Sequence, residues 1–252
     1  MGALARFLIV IAACLVVVLL LWNAVGGDDG ASADDGPVAR ETPDDSVPLE
    51  RRLDYVQADV SGDDFERAPL QETDFTDADA QRANFNRAIL NDADFTRAQL
   101  DNASLIRATA HSTNFQYADL DDIEATRAEF VAGDFTGADM DRAGLIQADF
   151  TSATMIDVEL RRAVLDQAIF RGARLTNADL RGADMTRTDL RGADFTNARL
   201  DRTVLIAADL RGAVFAGASL DNVDFEDVVY DETTVWPDDF DPANPGSSSI
   251  FG

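Results

Sequence analysis

The chain has 252 residues, with 21 basic and 47 acidic side chains, a formal net charge of −26 and a pI near 4.1. Every basic residue is Arg, and such an acidic surface repels nucleic acid and anionic lipid, so no direct nucleic-acid binding is expected. The length accommodates one or two domains. The single cysteine, Cys14, excludes an intrachain disulfide.

The chain opens with an unbroken apolar run from Phe7 to Trp22. With Ala24 and Val25 it reaches the roughly 17–25 residues that a membrane-spanning helix needs. Backbone groups in hydrocarbon must bond internally, so the span has to be helical. Trp22 suits the interface, while Arg6 before the run and Asp28 and Asp29 after it orient the N-terminus toward the cytoplasm. Residues 1–25 are therefore expected to form a single-pass transmembrane anchor with the rest of the chain outside the cytoplasm. Two alternatives stay open. One is a signal peptide cleaved near Ala31-Ser32-Ala33, well past the apolar end. The other is lipidation of Cys14 in the box Ile11-Ala12-Ala13-Cys14, although only Phe7 to Val10 separate that box from Arg6.

Residues 26–50 are rich in Gly, Asp, Ala, Ser and Pro and read as a disordered acidic linker. Residues 51–64 form a lead-in, with Tyr55 and Val60 already in phase with the apolar positions from Phe65 onward.

From Phe65 to Tyr230 a large apolar residue recurs every five positions without a break, with only Ala80, Ala110 and Ala125 small. Two residues before each sits a second regular position, usually Ala. A period of five fits neither an amphipathic helix nor an alternating strand. It fits a coil with flat sides, each unit making one side and one corner. Residues twenty apart also resemble each other: Phe75, Phe95, Phe115, Phe135, Met155, Leu175, Phe195 and Phe215 make one column. Four sides therefore close each coil.

Units such as Ala178-Asp179-Leu180-Arg181-Gly182 and Ala193-Asp194-Phe195-Thr196-Asn197 follow the consensus A-(D/N)-L-x-x, so the chain resembles the pentapeptide-repeat family. The resemblance implies an all-β solenoid, a right-handed quadrilateral parallel β-helix, over residues 51–230. About eight coils at ~4.8 Å per layer give a rod roughly 40 Å long. Each coil buries its inner residues only by stacking on its neighbours. Coils around residues 110–125, thinned by Ala110 and Ala125, are expected to be the least stable. Residues 231–242 break the period and resemble the ending that closes such repeats, with Val235, Trp236 and Phe240 covering the last coil. Residues 243–252 read as a disordered tail.

The outward positions form columns too. Asp101, Asp121, Asp141, Asp201 and Asp221 follow the central residue of one side, and Asp119 and Asp139 precede it. This acidic face is either a low-affinity site for a hard cation such as Ca²⁺ or a solvated surface. Arg67, Arg87, Arg107, Arg127 and Arg187 line one corner, and Arg171, Arg191 and Arg211 another side, where the total charge favours lateral ion pairs with stacked Asp over phosphate binding. Ile106, Ile146, Val164, Val204 and Ile206 project from one side as a candidate contact stripe for a second copy or a different protein. His111 is isolated, and no nucleophile elbow, phosphate loop or metal-protease motif is present.

The chain thus reads as a non-enzyme without cofactor or metal, a membrane-tethered acidic rod that meets a protein partner outside the cytoplasm. The family resemblance implies an alternative. Some members resemble B-form DNA in width and charge and bind type II topoisomerases such as gyrase. No dimerisation helix is apparent after Tyr230.

Overall fold

The computed structural model describes residues 54–238 and 240–242. The proposed anchor, the linker and the tail lie outside the described residues. Among the described residues, no helix is long and apolar enough to cross a membrane.

The five-residue period becomes a four-sided parallel β-helix. One residue per side pairs with its counterpart one coil on, as in Asp54 with Asp74 and Asp94 with Asn114. Among the described residues, pairing between coils begins at Asp54, so the lead-in segment from there on is part of the rod.

Both inner positions of each unit are buried. Phe75, Phe95, Phe115, Phe135, Phe195 and Phe215 are fully enclosed, as are Ala78, Ala98 and Ala138. On this first wall, rings twenty residues apart stack: Phe95 and Phe115 lie 5.1 Å apart at 13°, and Phe115 and Phe135 lie 4.9 Å apart at 14°. The second wall is centred on Leu100, Leu120, Met140, Leu160, Leu180 and Leu200, the third on Leu105, Leu145, Leu165 and Leu205. The fourth is centred on Leu90, Ala110, Phe130, Phe150, Phe170 and Leu190. Where Thr replaces Ala at the small inner position, its hydroxyl donates to a turn carbonyl, as Thr113 does to Leu90 (2.7 Å) and Thr203 to Leu180 (2.8 Å).

A count of backbone groups explains the consensus. In the unit around Phe75, Phe75 N–H donates to Asp94 C=O, and Asp77 N–H to Thr96 C=O, one coil forward. Asp79 N–H donates to Ala58 C=O, one coil back, and Ala78 N–H closes the corner turn onto Phe75 C=O. Four donors of five are satisfied, and a buried or half-buried fifth would be costly. That fifth N–H, on Thr76, donates to the Asp74 carboxylate at 3.0 Å. The same bond recurs from Thr96 to Asp94, Gln116 to Asn114, Thr136 to Asp134 and Thr196 to Asp194. The Asp or Asn before each central residue is thus a backbone acceptor in an Asx turn. Where that residue is Ser104, Thr109 or Glu159, Asn86, Asn91 or Asp141 of the preceding coil accepts the N–H instead.

The corner is equally strict. The second residue after each centre has positive φ in every unit from Gln57 to Asp227, in 28 non-glycine residues and seven glycines. The bond back to the centre makes this a type II turn, which demands positive φ at its third residue.

At the C-terminal end the period slips by one. Val235 pairs with Val214, twenty-one residues earlier, and Trp236 stacks on Phe215 at 5.3 Å and 10°. Thr234 takes the inner small position, its hydroxyl donating to Leu210 C=O. Phe240 then stacks on Trp236 at 5.0 Å. Trp236 and Phe240 are partly buried and pack against the core. Val235 does not: it belongs to the pairing row and is exposed, because its neighbours on either side turn inward.

Candidate functional site

All seven carboxylates of the expected acidic face lie on the second wall, but not as one ladder. Asp119 and Asp139 are adjacent rungs and accept the N–H of Asp121 (3.2 Å) and Asp141 (3.0 Å). The two columns are therefore bonded to each other. Arg142 grips Asp121 and, at 3.0 and 2.8 Å, Asp122. Asp141 is nearly buried and accepts Arg161 through its N–H (2.9 Å) and Nε (2.7 Å). Asp201 and Asp221 stand apart, separated from the others by Arg161 and Arg181 on the same column.

Asp139, Asp141 and Glu159 bring carboxylate oxygens within 4.8 Å of one another. Asp141 and Glu159 of that group already hold the Arg161 guanidinium. Elsewhere the acids are under-compensated. One oxygen each of Asp101 and Asp121 is buried without a hydrogen-bond partner. Burial raises the Asp119 pKa, and the charges of Asp101 and Asp139 add to it against the bond from Asp121 N–H. Burial raises that of Asp121 too, with Asp122 adding to it.

The apolar candidates all lie on the third wall. Ile146 and Val164 are exposed and flank neighbouring rungs, while Ile106, Val204 and Ile206 are half-buried. The stripe is interrupted: Asp184 pairs between Val164 and Val204, and Thr126 stands between Ile106 and Ile146. Ile106 lies in a shallow groove of about 340 Å³ rimmed by Arg87, Arg107 and Arg127.

The arginine rows form ion pairs in several registers. Arg97 reaches back one coil to Asp77 (2.6 Å), Arg171 reaches forward to Asp189 (2.5 Å), and Arg191 and Arg211 fold onto Asp189 (2.8 Å) and Asp209 (2.5 Å) of their own units. Burial alone would raise the Asp189 pKa. The bonds from Arg191 and Arg171 outweigh it and hold that carboxyl at about 2. His111 is half-buried and lies 3.1 Å from Glu129.

Sequence reasoning missed one feature. On the second wall a groove of about 860 Å³ opens between Arg142 and Asn222, lined by six arginines. The signal was present in the corner column, where Gly182 stands between Arg162 and Arg202 and leaves the ridge without a side chain.

The model for pentapeptide repeats matches overlapping segments that together run from residue 68 to 227. No curated protein matches the chain. Among solved structures it is similar to HetL, a pentapeptide repeat protein involved in heterocyst differentiation regulation in the cyanobacterium Nostoc sp. strain PCC 7120. That likeness has 26% identity and a TM-score of 0.64 over 74% of this chain and 86% of HetL. It is also similar to trypsin-treated QnrB1, a plasmid-mediated fluoroquinolone resistance protein, with 20% identity and a TM-score of 0.64 over 72% of this chain and 91% of that one. The QnrB1 likeness is one of fold.

Proposed function

The chain belongs to the pentapeptide-repeat family, and from that premise we propose that it is a non-enzymatic binding rod, tethered to a membrane by residues 1–25 and displayed outside the cytoplasm. The observation that carries the binding role is the rigidity of the outward grid. Each outward side chain sits at a fixed height on a stacked rung, and its backbone is pinned by bonds to the coils above and below. A surface ordered before contact loses little entropy on association. The tether rests on the apolar run Phe7–Trp22 and the flanking charges.

The partner is a protein with a basic, partly apolar face. Ile146 and Val164 supply the exposed apolar contact, and surrounding carboxylates select for positive charge. HetL's part in regulating differentiation agrees with binding in place of catalysis. Protease added to intact cells tests the placement: digestion of the rod from outside is expected, and its protection until the membrane is opened would refute it. Photo-crosslinkers at positions 146 and 164, with one at Tyr117 on the first wall as control, test the face. Equal labelling from all three would refute it. A topoisomerase supercoiling assay covers the alternative, and inhibition at micromolar chain would replace this reading.

A further inference from the structure

The second wall changes character along the rod. Acids dominate from Asp101 to Asp139, whereas guanidiniums dominate the groove from Arg161 to Arg202. The partners of those guanidiniums differ sharply. Arg161 is held by Asp141 and Glu159, and Arg181 by two bonds to Asp179 at 2.7 and 2.6 Å. Arg199 comes only within 3.8 Å of Asp179, a carboxylate already bonded to Arg181. Arg162 and Arg202 have no carboxylate within ion-pair distance among the described residues. In a chain where acids outnumber bases 47 to 21, this is not for want of acids.

Positions 162, 182 and 202 are successive corners of the same edge. Gly182, at φ +71°, has only the Arg162 stem within 4 Å of where a Cβ would stand. Other corners hold Asp122, Asp157 and Asn222 at φ of 55–57°, so the fold does not require glycine here. Its effect is to open a hollow between two unpaired arginines.

We propose that this groove binds a compact oxyanion carrying two or more phosphate groups, held by Arg162, Arg199 and Arg202 across the Gly182 hollow. Guanidinium forks match phosphate oxygens two at a time, and charge-assisted bonds of this kind are the strong ones. Arg162 and Arg202 are rooted two layers apart, about 10 Å, so one phosphate engages one fork and a linked pair bridges both. The groove volume falls in the range of small-molecule sites, roughly 300–1,000 Å³. Three lining carboxylates bear on selectivity. Asp141 is occupied by Arg161, Asp201 accepts the Ser219 hydroxyl, and Asp221 stands at the far end. They and the net charge repel an extended polyanion, whereas at physiological salt charges beyond roughly 8 Å are largely screened and a compact polyanion meets mainly the local arginines.

The test is independent of the rod's compartment and of any protein partner. Calorimetric titration of the full chain, in an uncharged detergent at low salt, with sodium tripolyphosphate is expected to show one site that weakens as salt rises. Gly182→Asp places a carboxylate between the two arginines, and Arg162→Gln with Arg202→Gln removes them. Each should weaken binding about tenfold or more, while Arg97→Gln on the first wall leaves it unchanged. Equal affinity for a nucleoside triphosphate supports a site that reads phosphate alone; tighter nucleotide binding supports it with an added base contact. Absence of heat at millimolar tripolyphosphate, unchanged affinity in the folded Gly182→Asp or double-Gln chain, or preference for a DNA duplex would overturn the proposal.

Discussion

Phe115 is the only large ring among the centres of its coil, whose other members are Ala110, Leu120 and Ala125. It is fully buried, stacks between Phe95 and Phe135, and meets the edge of Phe130 at 5.9 Å and 86°. Truncating a buried Phe to Ala costs about 3–5 kcal/mol, and the spread depends on how far the neighbours collapse into the void. Around Phe115 they can collapse little, because two of the three other side chains in the layer are methyl groups. Around Phe95 the layer holds Leu90, Leu100 and Leu105, which are long enough to lean inward. Phe115→Ala should therefore fall near ~5 kcal/mol and Phe95→Ala near ~3 kcal/mol. Phe115→Leu should cost under about 1.5 kcal/mol, since Leu175 occupies the same column. Urea unfolding gives the totals. Hydrogen exchange gives the location, because coils couple only to their neighbours and the loss should centre on residues 110–128. A Phe115→Ala cost no larger than that of Phe95→Ala, or exchange unchanged in that segment, would refute the reasoning.

Four further outcomes rest on the same geometry. Asp94→Ala should cost about 1–2 kcal/mol, because it orphans the Thr96 N–H held at 3.0 Å, whereas Asp94→Asn should cost much less, since Asn114 does the same work one coil on. Arg107→Val forces a β-branched residue to φ 58° and should cost about 1–2 kcal/mol by thermal unfolding, with Arg107→Asn near neutral. Asp119→Asn keeps the bond to Asp121 N–H and removes a charge whose folded pKa is raised by burial and by Asp101 and Asp139. A raised carboxyl destabilises the fold above its folded pKa and not below the unfolded one. The variant should therefore be more stable at pH 7, by roughly a few tenths of a kcal/mol, with the gain gone below about pH 4. Asp189 behaves in the opposite sense: its depressed pKa of about 2 contributes stability present above pH 4 and lost as pH falls toward 2, and Asp189→Asn should flatten that part of the acid unfolding curve.

The fold was legible because a solenoid's core is one-dimensional. A residue's inward or outward direction depends only on its place in a unit of five, so Phe95 over Phe115 could be read by counting. The corner constraint was written in the sequence as well, although as an omission. Among the 35 positive-φ corners no Val, Ile or Thr occurs, whereas Gly, Asn, Asp and Arg abound. The one-residue slip after Tyr230 was visible only as a break, because the sequence does not say which of Val235 and Trp236 turns inward. Pairing of the arginines was not legible at all. A guanidinium on a long stem reaches its own unit's carboxylate, as Arg181 does, or the coil on either side, as Arg97 and Arg171 do. These registers are equally compatible with the repeat, so the groove beside Gly182 could not be located from the spacing of charges.

The backbone count also fixes where specificity can be written on such a rod. Of three outward positions per unit, the one before the centre accepts an Asx bond wherever it is Asp or Asn, and the second after it must tolerate positive φ. Only the first position after the centre is free in both respects, and there Ile106, Ile146, Arg161, Arg181 and Ile206 are found. On the proposed reading, contact surfaces are written at that position and at departures from the rules elsewhere. Val164, Val204 and Arg199 stand where an Asx acceptor belongs, and Gly182 stands where a side chain would fill the ridge. Each of those units gives up a backbone bond or a surface contact that the consensus residue would supply. Such departures occur along the whole rod, and both the apolar contact at Val164 and the unpaired arginines lie beside some of them, on the third and second walls. Substituting consensus residues there, Val164→Asp or Arg199→Asp, should raise stability by about 0.5–1.5 kcal/mol through the restored bonds to Asp166 and Asp201 N–H. Urea unfolding that shows a loss for both would mean these residues serve the fold, and the surfaces assigned to them would have to be sought elsewhere.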